Sequence, residues 1–289
     1  GIFTNLTQDH LDYHKTKENY FAAKRKLFYS CKSAVFNLDD AYGRRLGEDP
    51  EFAGKGRTFS LELDEADYTA KNIEYAAAYS RFAFVGSQQI ARVKLPMPGR
   101  FSVANAMGAM AACLQLGLEL EEIAAALADC TGVPGRAEVL PTDTDYTIIR
   151  DYAHTPDGLE KILLALRTFA KGRIVTLFGC AGNRDRAKRP QMAQMAAKYS
   201  DFVILTSDNP RDEDPMQIIE DALPGILAEN TPYQVIPDRY AAIEWGIDNA
   251  RKDDILLLAG KGHEDYQVLD FGTIFFDEKV IVDEILSAR

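Results

Sequence analysis

The chain has 289 residues, 46% apolar and 27% charged, an ordinary globular composition long enough for one large or two medium domains. Its 44 acidic side chains against 33 basic ones leave a formal charge of -11, which argues against a general binder of nucleic acid or of an anionic membrane. Cys31, Cys113, Cys130 and Cys180 form no CxxC pair, and no apolar run is long enough to span a bilayer, so reduced thiols, no membrane partner and a cytoplasmic location are expected.

Gly1-Ile2-Phe3 reads as the end of a strand, and a start at Gly1 in place of Met gives the expectation of a piece of a longer protein. A helix is predicted from Lys17 to Phe28, a strand from Ser33 to Asn37 and shorter strands between Arg57 and Val93. A strong helix from Ser102 to Leu116 and a second from Glu121 to Ala128 precede the turn-rich Gly132-Val133-Pro134-Gly135. The polar, proline-containing Leu140 to Asp145 places a domain junction there, giving domains 1–140 and 141–289.

Beyond it the rhythm is regular. Strands are predicted at Thr147–Ile149, Ile174–Phe178, Phe202–Leu205, Tyr233–Ile236 and Ile255–Leu258. Helices at Pro156–Ala170, after Pro190, at Pro215–Leu227 and at Tyr240–Ala250 alternate with them. That alternation predicts an α/β fold with a mostly parallel sheet and right-handed crossovers. Phe271 to Ile281 reads as an edge strand before a final helix.

Several residues stand out chemically. Lys24 shares a helix face with Tyr20, Phe21, Leu27 and Phe28. It is either a lysine that snorkels past its neighbours or a desolvated amine able to form a metal-binding carbamate. Asp9-His10-Leu11-Asp12-Tyr13-His14 supplies two imidazoles and two carboxylates, a composition also common in caps and loops. Asn105 interrupts an Ala- and Met-rich helix, Arg136 follows a proline turn, and Asp151 and His154 end a strand where helix capping competes with ligand binding.

A basic cluster, Arg184, Arg186, Lys188 and Arg189, follows the turn Gly179-Cys180-Ala181-Gly182, whose small residues would let a ligand approach the backbone; a solvated helix start is the bland alternative. Asp208-Asn209-Pro210-Arg211 ends the strand at Phe202–Leu205, and an arginine at a carboxyl strand edge suits a carboxylate. Gly260-Lys261-Gly262-His263-Glu264 ends the last strand, in a form that tight turns also use.

Taken in order, Thr4 to His14, Ala22-Ala23-Lys24, Asn105, Gly135-Arg136-Ala137-Glu138, Asp151 to Asp157, Gly182-Asn183-Arg184-Asp185, Asp208 to Arg211 and Gly260 to Glu264 closely resemble the Mur ligases of peptidoglycan synthesis. The resemblance covers the whole chain and is nearest the branch that adds meso-diaminopimelate to UDP-N-acetylmuramoyl-L-alanyl-D-glutamate. It implies a truncated central ATPase-type α/β domain followed by a Rossmann-like, mostly parallel C-terminal domain. The implied activity is ATP- and Mg2+-dependent amide ligation through an acyl phosphate, by a monomer whose partners are small molecules, with no nucleic acid involved.

By the same resemblance His10 and Lys24, the latter as a carbamate, are the catalytic metal contacts. Asn105 meets the adenine, Arg136 the phosphates, and Asp151 and His154 line the ATP site. Arg184, Asp208, Asn209, Arg211, Gly260 and Glu264 bind diaminopimelate, with Arg211 on the distal carboxylate that lysine lacks and Gly260 and Glu264 on the far amino group. The family's phosphate loop, GxxxxGK(S/T), is absent from these 289 residues, so the chain alone is expected to be inactive. A folylpolyglutamate synthase-like ligase and a non-catalytic amino-acid-binding module are the alternatives.

Overall fold

Apolar strands alternating with helices dictate the architecture. The computed structural model describes residues 1–7 and 11–289 and divides into two units, Gly1–Thr131 and Gly132–Arg289. No helix among the described residues is long and apolar enough to cross a membrane.

The first unit runs β1 (Ile2–Phe3), α1 (Leu11–His14), α2 (Lys17–Ser30), β2 (Ala34–Asn37), α3 (Ala41–Gly47), β3 (Gly56–Ser60), β4 (Tyr68–Tyr75), β5 (Ser80–Gly86), β6 (Ile90–Leu95), α4 (Arg100–Gln115) and α5 (Leu120–Ala128). The sheet follows chain order, parallel from β1 to β4 and antiparallel from β4 to β6. One core buries Val103, Met107 and Met110 of α4 with Phe59, Phe84 and Leu95 of the strands. A second packs Phe21 and Phe28 of α2 with Phe3, Phe36 and Phe52. Thr16 starts α2, its hydroxyl accepting from Asn19 N at 3.1 Å.

The second unit contains β7 (Glu138–Leu140), β8 (Thr147–Asp151), α6 (Pro156–Arg167), β9 (Ile174–Cys180), α7 (Lys188–Tyr199), β10 (Phe202–Ser207), α8 (Pro215–Leu227), β11 (Tyr233–Val235), α9 (Arg239–Asn249), β12 (Ile255–Ala259), β13 (Tyr266–Leu269), β14 (Gly272–Phe275) and α10 (Glu278–Ser287). Its main sheet has the order β11-β10-β9-β12-β8-β7, all parallel except β7. Every residue of β9 and β12 is buried, which is why both read as continuous apolar runs. Ile148, Val175, Leu177, Ile204, Leu256 and Leu258 face α9 and α10. Helices α6, α7 and α8 pack on β9 and β10, so alternate side chains of the same strands are buried as well.

Two expectations change. The division falls between Thr131 and Gly132, ahead of the junction read near residue 141, because β7 pairs antiparallel with β8 and so joins the second sheet. Phe271 to Ile281 contributes no edge strand to that sheet. β13 and β14 pair only with each other as an antiparallel hairpin before α10.

A buried ion pair ties the carboxyl edge of this sheet together. Arg239, the first residue of α9, donates through Nε to Glu278 of α10 at 2.8 Å, and both side chains have no exposed surface. The same guanidinium donates to the Ser207 carbonyl at 3.0 Å and to the Ala259 carbonyl at 2.9 Å, the last residues of β10 and β12. Removing one partner leaves the other charged and buried. Glu278→Ala is therefore expected to lower the unfolding free energy by about 3 to 5 kcal/mol. Urea titration followed through Trp245, the single tryptophan, which stacks on Phe202, measures this directly. A loss below about 1 kcal/mol would show that the pair is dispensable.

Candidate functional site

Four parallel strands end side by side, and open α/β sheets bind ligands at that edge. Here a cavity of about 480 Å³ opens there, lined by Tyr152 and His154 beyond β8, Gly179 and Cys180 at the end of β9 with Ala181 beyond it, Asp208, Asn209 and Arg211 beyond β10, and Gly260 and Glu264 beyond β12. Arg184, Asp185, Lys188 and Arg189 close one side, and Tyr266 of β13 also reaches it.

The segment after β10 is held on all sides. The Asp208 carbonyl accepts from Gln267 Nε2 at 2.7 Å, and the Asn209 carbonyl accepts from Gly182 N at 2.9 Å. Asn209, which is buried, accepts through Oδ1 from Val268 N at 2.9 Å and donates through Nδ2 to Glu264 Oε2 at 3.0 Å. Arg211 has a left-handed φ of 55°. Its backbone N–H donates to the Val268 carbonyl at 3.0 Å, and its Nη1 to the Gly182 carbonyl at 2.7 Å. A Cβ on Gly182 would lie 1.9 Å from the Pro210 carbonyl oxygen. Glycine there admits the neighbouring loop, a different use from the ligand approach expected of that turn.

The basic cluster divides. Arg189 is 1% exposed, donating to Glu213 at 2.9 Å and to Asp221 at 2.8 Å, and Arg186 also binds Asp221. The solvated-start reading therefore fails for Arg189, which pins the first turn of α7 to α8 and the turn before it. Arg184 and Lys188 are exposed and line the cavity with no carboxylate partner among the described residues.

At the β8 end, Asp151 accepts from Ala137 N at 2.7 Å and Ala153 N at 2.8 Å. Burial pushes its carboxyl up, against those two N–H bonds and nearby Arg136 and His154. His154 is exposed and its Nδ1 donates to the Tyr152 carbonyl at 2.8 Å. The Arg136 guanidinium lies 4.7 Å from the Tyr152 ring centre, and that ring also meets His154 and His263. Gly260, at φ 111°, donates its N–H to the Asp151 carbonyl at 3.0 Å. Cys180 faces the cavity, but burial first and Asp208 second push its thiol up to about 12, so it stays protonated.

Thus Asp151, His154, Arg184, Asp208, Asn209, Arg211, Gly260 and Glu264 come together at one edge, with Arg136 beside Tyr152. In the first unit Asn105 is exposed on α4, so no burial penalty explains it. Lys24 is half-buried, its Nζ 5.0 Å from the Tyr20 ring centre, while Leu27 on the same stripe is 55% exposed. His10 lies outside the described residues. Sequence reasoning missed Tyr152, Tyr266, Gln267 and Lys261, a lysine with no exposed surface. A lysine between two glycines at the end of an all-apolar strand was the available signal.

Arginines and carboxylates thus converge at the carboxyl edge of an open, mostly parallel α/β sheet. The chain belongs to the Mur ligase family: the profile of the Mur ligase middle domain matches residues 1–113, and that of the Mur ligase glutamate ligase domain matches residues 135–262. It is 46% identical over 290 residues to UDP-N-acetylmuramoyl-L-alanyl-D-glutamate–2,6-diaminopimelate ligase 1 of Clostridium acetobutylicum, covering 99% of this chain and 59% of that protein. It is 48% identical over 283 residues to the corresponding ligase of Synechococcus elongatus, covering 96% of this chain and 56% of that one. The chain thus spans less than two thirds of the length of these relatives.

A solved UDP-N-acetylmuramoyl-L-alanyl-D-glutamate–2,6-diaminopimelate ligase superposes with a TM-score of 0.72 at 39% identity, over 99% of this chain and 60% of that one. A folylpolyglutamate synthase from Thermotoga maritima, at 19% identity, shares the fold with a TM-score of 0.67 over 90% of this chain and 57% of that one.

The lock around Arg189 carries a pH dependence. Glu213 is held below its ordinary value of 4.5, first by the Arg189 hydrogen bonds and then by the Asn183 N–H. A depressed folded pKa adds stability that is complete above the unfolded value and lost as the pH falls through the folded one. The stability difference between wild type and Glu213→Gln is expected to be full at about pH 6 and to shrink as the pH drops below 4.5. Urea titrations across that range measure it, and a difference that ignores pH would remove the ion pair from the account.

Proposed function

We propose that this chain carries the amino-acid site of an ATP-dependent ligase that joins meso-diaminopimelate to the D-glutamyl carboxylate of UDP-N-acetylmuramoyl-L-alanyl-D-glutamate. The observation that carries the reading is the convergence of Arg184 and Arg211 with Glu264 and Asp208 on one cavity. Guanidinium groups meet a carboxylate bidentately, and a carboxylate accepts from an ammonium, so the lining suits a substrate with a charged group of each sign at its far end. The identity to ligases named for 2,6-diaminopimelate supports that choice of substrate.

ATP, when bound, would activate the glutamyl carboxylate for attack by the amine. The exposed guanidinium of Arg136, backed by the Tyr152 ring, and the exposed His154 fit an anionic phosphate chain. Asn105, exposed on α4, is free to meet the base, and Asp151 fixes the strand end by accepting two backbone N–H groups. The described residues do not by themselves fit a metal, since no group of three His, Cys, Asp or Glu side chains is placed to hold one. The assignment of Mg2+ to Lys24, as a carbamate, and His10 rests on family resemblance alone. With no GxxxxGK(S/T) segment in the 289 residues, this chain alone would bind the amino acid without turnover.

Arg211 is half-buried and already bonded to the Gly182 carbonyl, so losing its partner carboxylate strands less charge than a fully buried arginine would. Titration calorimetry of the chain is expected to show meso-diaminopimelate bound in preference to L-lysine. Arg211→Met should weaken meso-diaminopimelate about 10- to 100-fold and bring the two ligands close together. Equal binding of both ligands by the wild type, or ATP-dependent phosphate release by the chain on its own, would contradict the proposal.

A further inference from the structure

Lys261 has no exposed surface and does not line the cavity, yet it lies directly behind two side chains that do. Its Nζ is 3.2 Å from Glu264 Oε2 and 3.4 Å from Asn209 Oδ1, with the rings of Tyr266 and Phe276 at 5.5 and 5.9 Å. The Asn209 amide donates to the same Glu264 oxygen at 3.0 Å. Both donors therefore converge on Oε2, and Oε1 has no protein donor among the described residues. A carboxylate gripped through one oxygen by a buried cation keeps the other in a fixed place.

The backbone explains how a lysine comes to point inward at a ligand-binding edge. Gly260 and Gly262 both have left-handed φ, 111° and 55°, and Glu264 N donates to the Lys261 carbonyl at 3.0 Å. The turn sends Lys261 under the cavity floor and returns Glu264 to its wall. Burying an ammonium is unfavourable without a partner, so the lysine and Glu264 hold each other.

We propose that Lys261 is a positioning residue that fixes Glu264 and Asn209, and through them sets the preference for a substrate bearing a distal ammonium. The inference rests on the reading of the cavity as a diaminopimelate site. It predicts that removing Lys261 erases recognition of the ammonium while sparing recognition of the carboxylate, which loss of packing alone would not do.

The probes are meso-diaminopimelate, L-2-aminopimelate, which keeps both carboxylates and lacks the distal amino group, and L-lysine, which lacks the distal carboxylate. In calorimetry the wild type is expected to favour meso-diaminopimelate over L-2-aminopimelate about 10- to 100-fold. Lys261→Met, like Glu264→Gln, should reduce that ratio to within about threefold. The preference over L-lysine should stay within about twofold of wild type.

A Lys261→Met chain that keeps the first preference, or loses both together, overturns the role of Lys261 alone. A wild type with no preference for the distal amino group overturns the diaminopimelate reading and this inference with it. Should the methionine variant not fold, Lys261→Gln, which keeps a donor without the charge, carries the same test. Its first preference is expected to fall at least about threefold, and an unchanged ratio overturns the role.

Discussion

The buried guanidinium of Arg239 is the constraint on which the carboxyl edge of the second unit's sheet depends. It bridges the carbonyls that end β10 and β12, two strands separated in the sheet by β9, and is itself fixed by Glu278. Three acceptors around one guanidinium, all out of water, leave little freedom in the relative height of the two strand ends. Asp208 and Gly260 are the next residues along, so the geometry of the cavity starts from that bridge. Neighbouring charges extend it. Arg150 of β8, also buried, binds Glu138 of β7 at 2.7 Å and Asp277, the cap of α10, at 2.9 Å. Apolar replacements of similar volume are often as stable as such pairs, so what this one supplies is a specified geometry more than stability.

Above the bridge, polar groups are used in two layers. The amide of Asn209 and the backbone of Arg211 both bond Val268, so the loop after β10 is paired almost like a strand with the hairpin of β13 and β14. Arg189 does the same from the other side, joining the first turn of α7 to Glu213 and Asp221. The exposed or half-buried groups, Arg184, Arg211 and Glu264, then stand on supports that are themselves satisfied. Preorganisation of this kind reduces the entropy lost when a small ligand is held by several charged groups at once.

The fold is legible in the sequence because it rests on local signals: buried strands are apolar runs, and helices start at Thr155-Pro156, Asp214-Pro215 and Asp238, which the structure shows capping. The cavity lining is legible because strand ends fall where turns begin. Its supports are not. Arg239 and Glu278 are 39 residues apart, and neither periodicity nor spacing marks them as partners. Arg189 sits in a run of basic residues that looks solvated until Asp221 and Glu213 are brought to it by the packing of α7 on α8. Phe271 to Ile281 reads as an edge strand because β-rich composition does not reveal that the partner of β14 is β13.

The sheet itself does not choose a substrate. A folylpolyglutamate synthase shares this fold at 19% identity, and a shared fold leaves function open. What marks this chain out from the shared sheet lies in the loops after β9, β10 and β12, where the arginines and carboxylates are. Those loops are held by the buried groups Arg189, Asn209 and Lys261, of which Lys261 lies wholly behind the cavity lining. A substitution among the supports moves the cavity lining without replacing any group in it, because the lining groups inherit their positions from below.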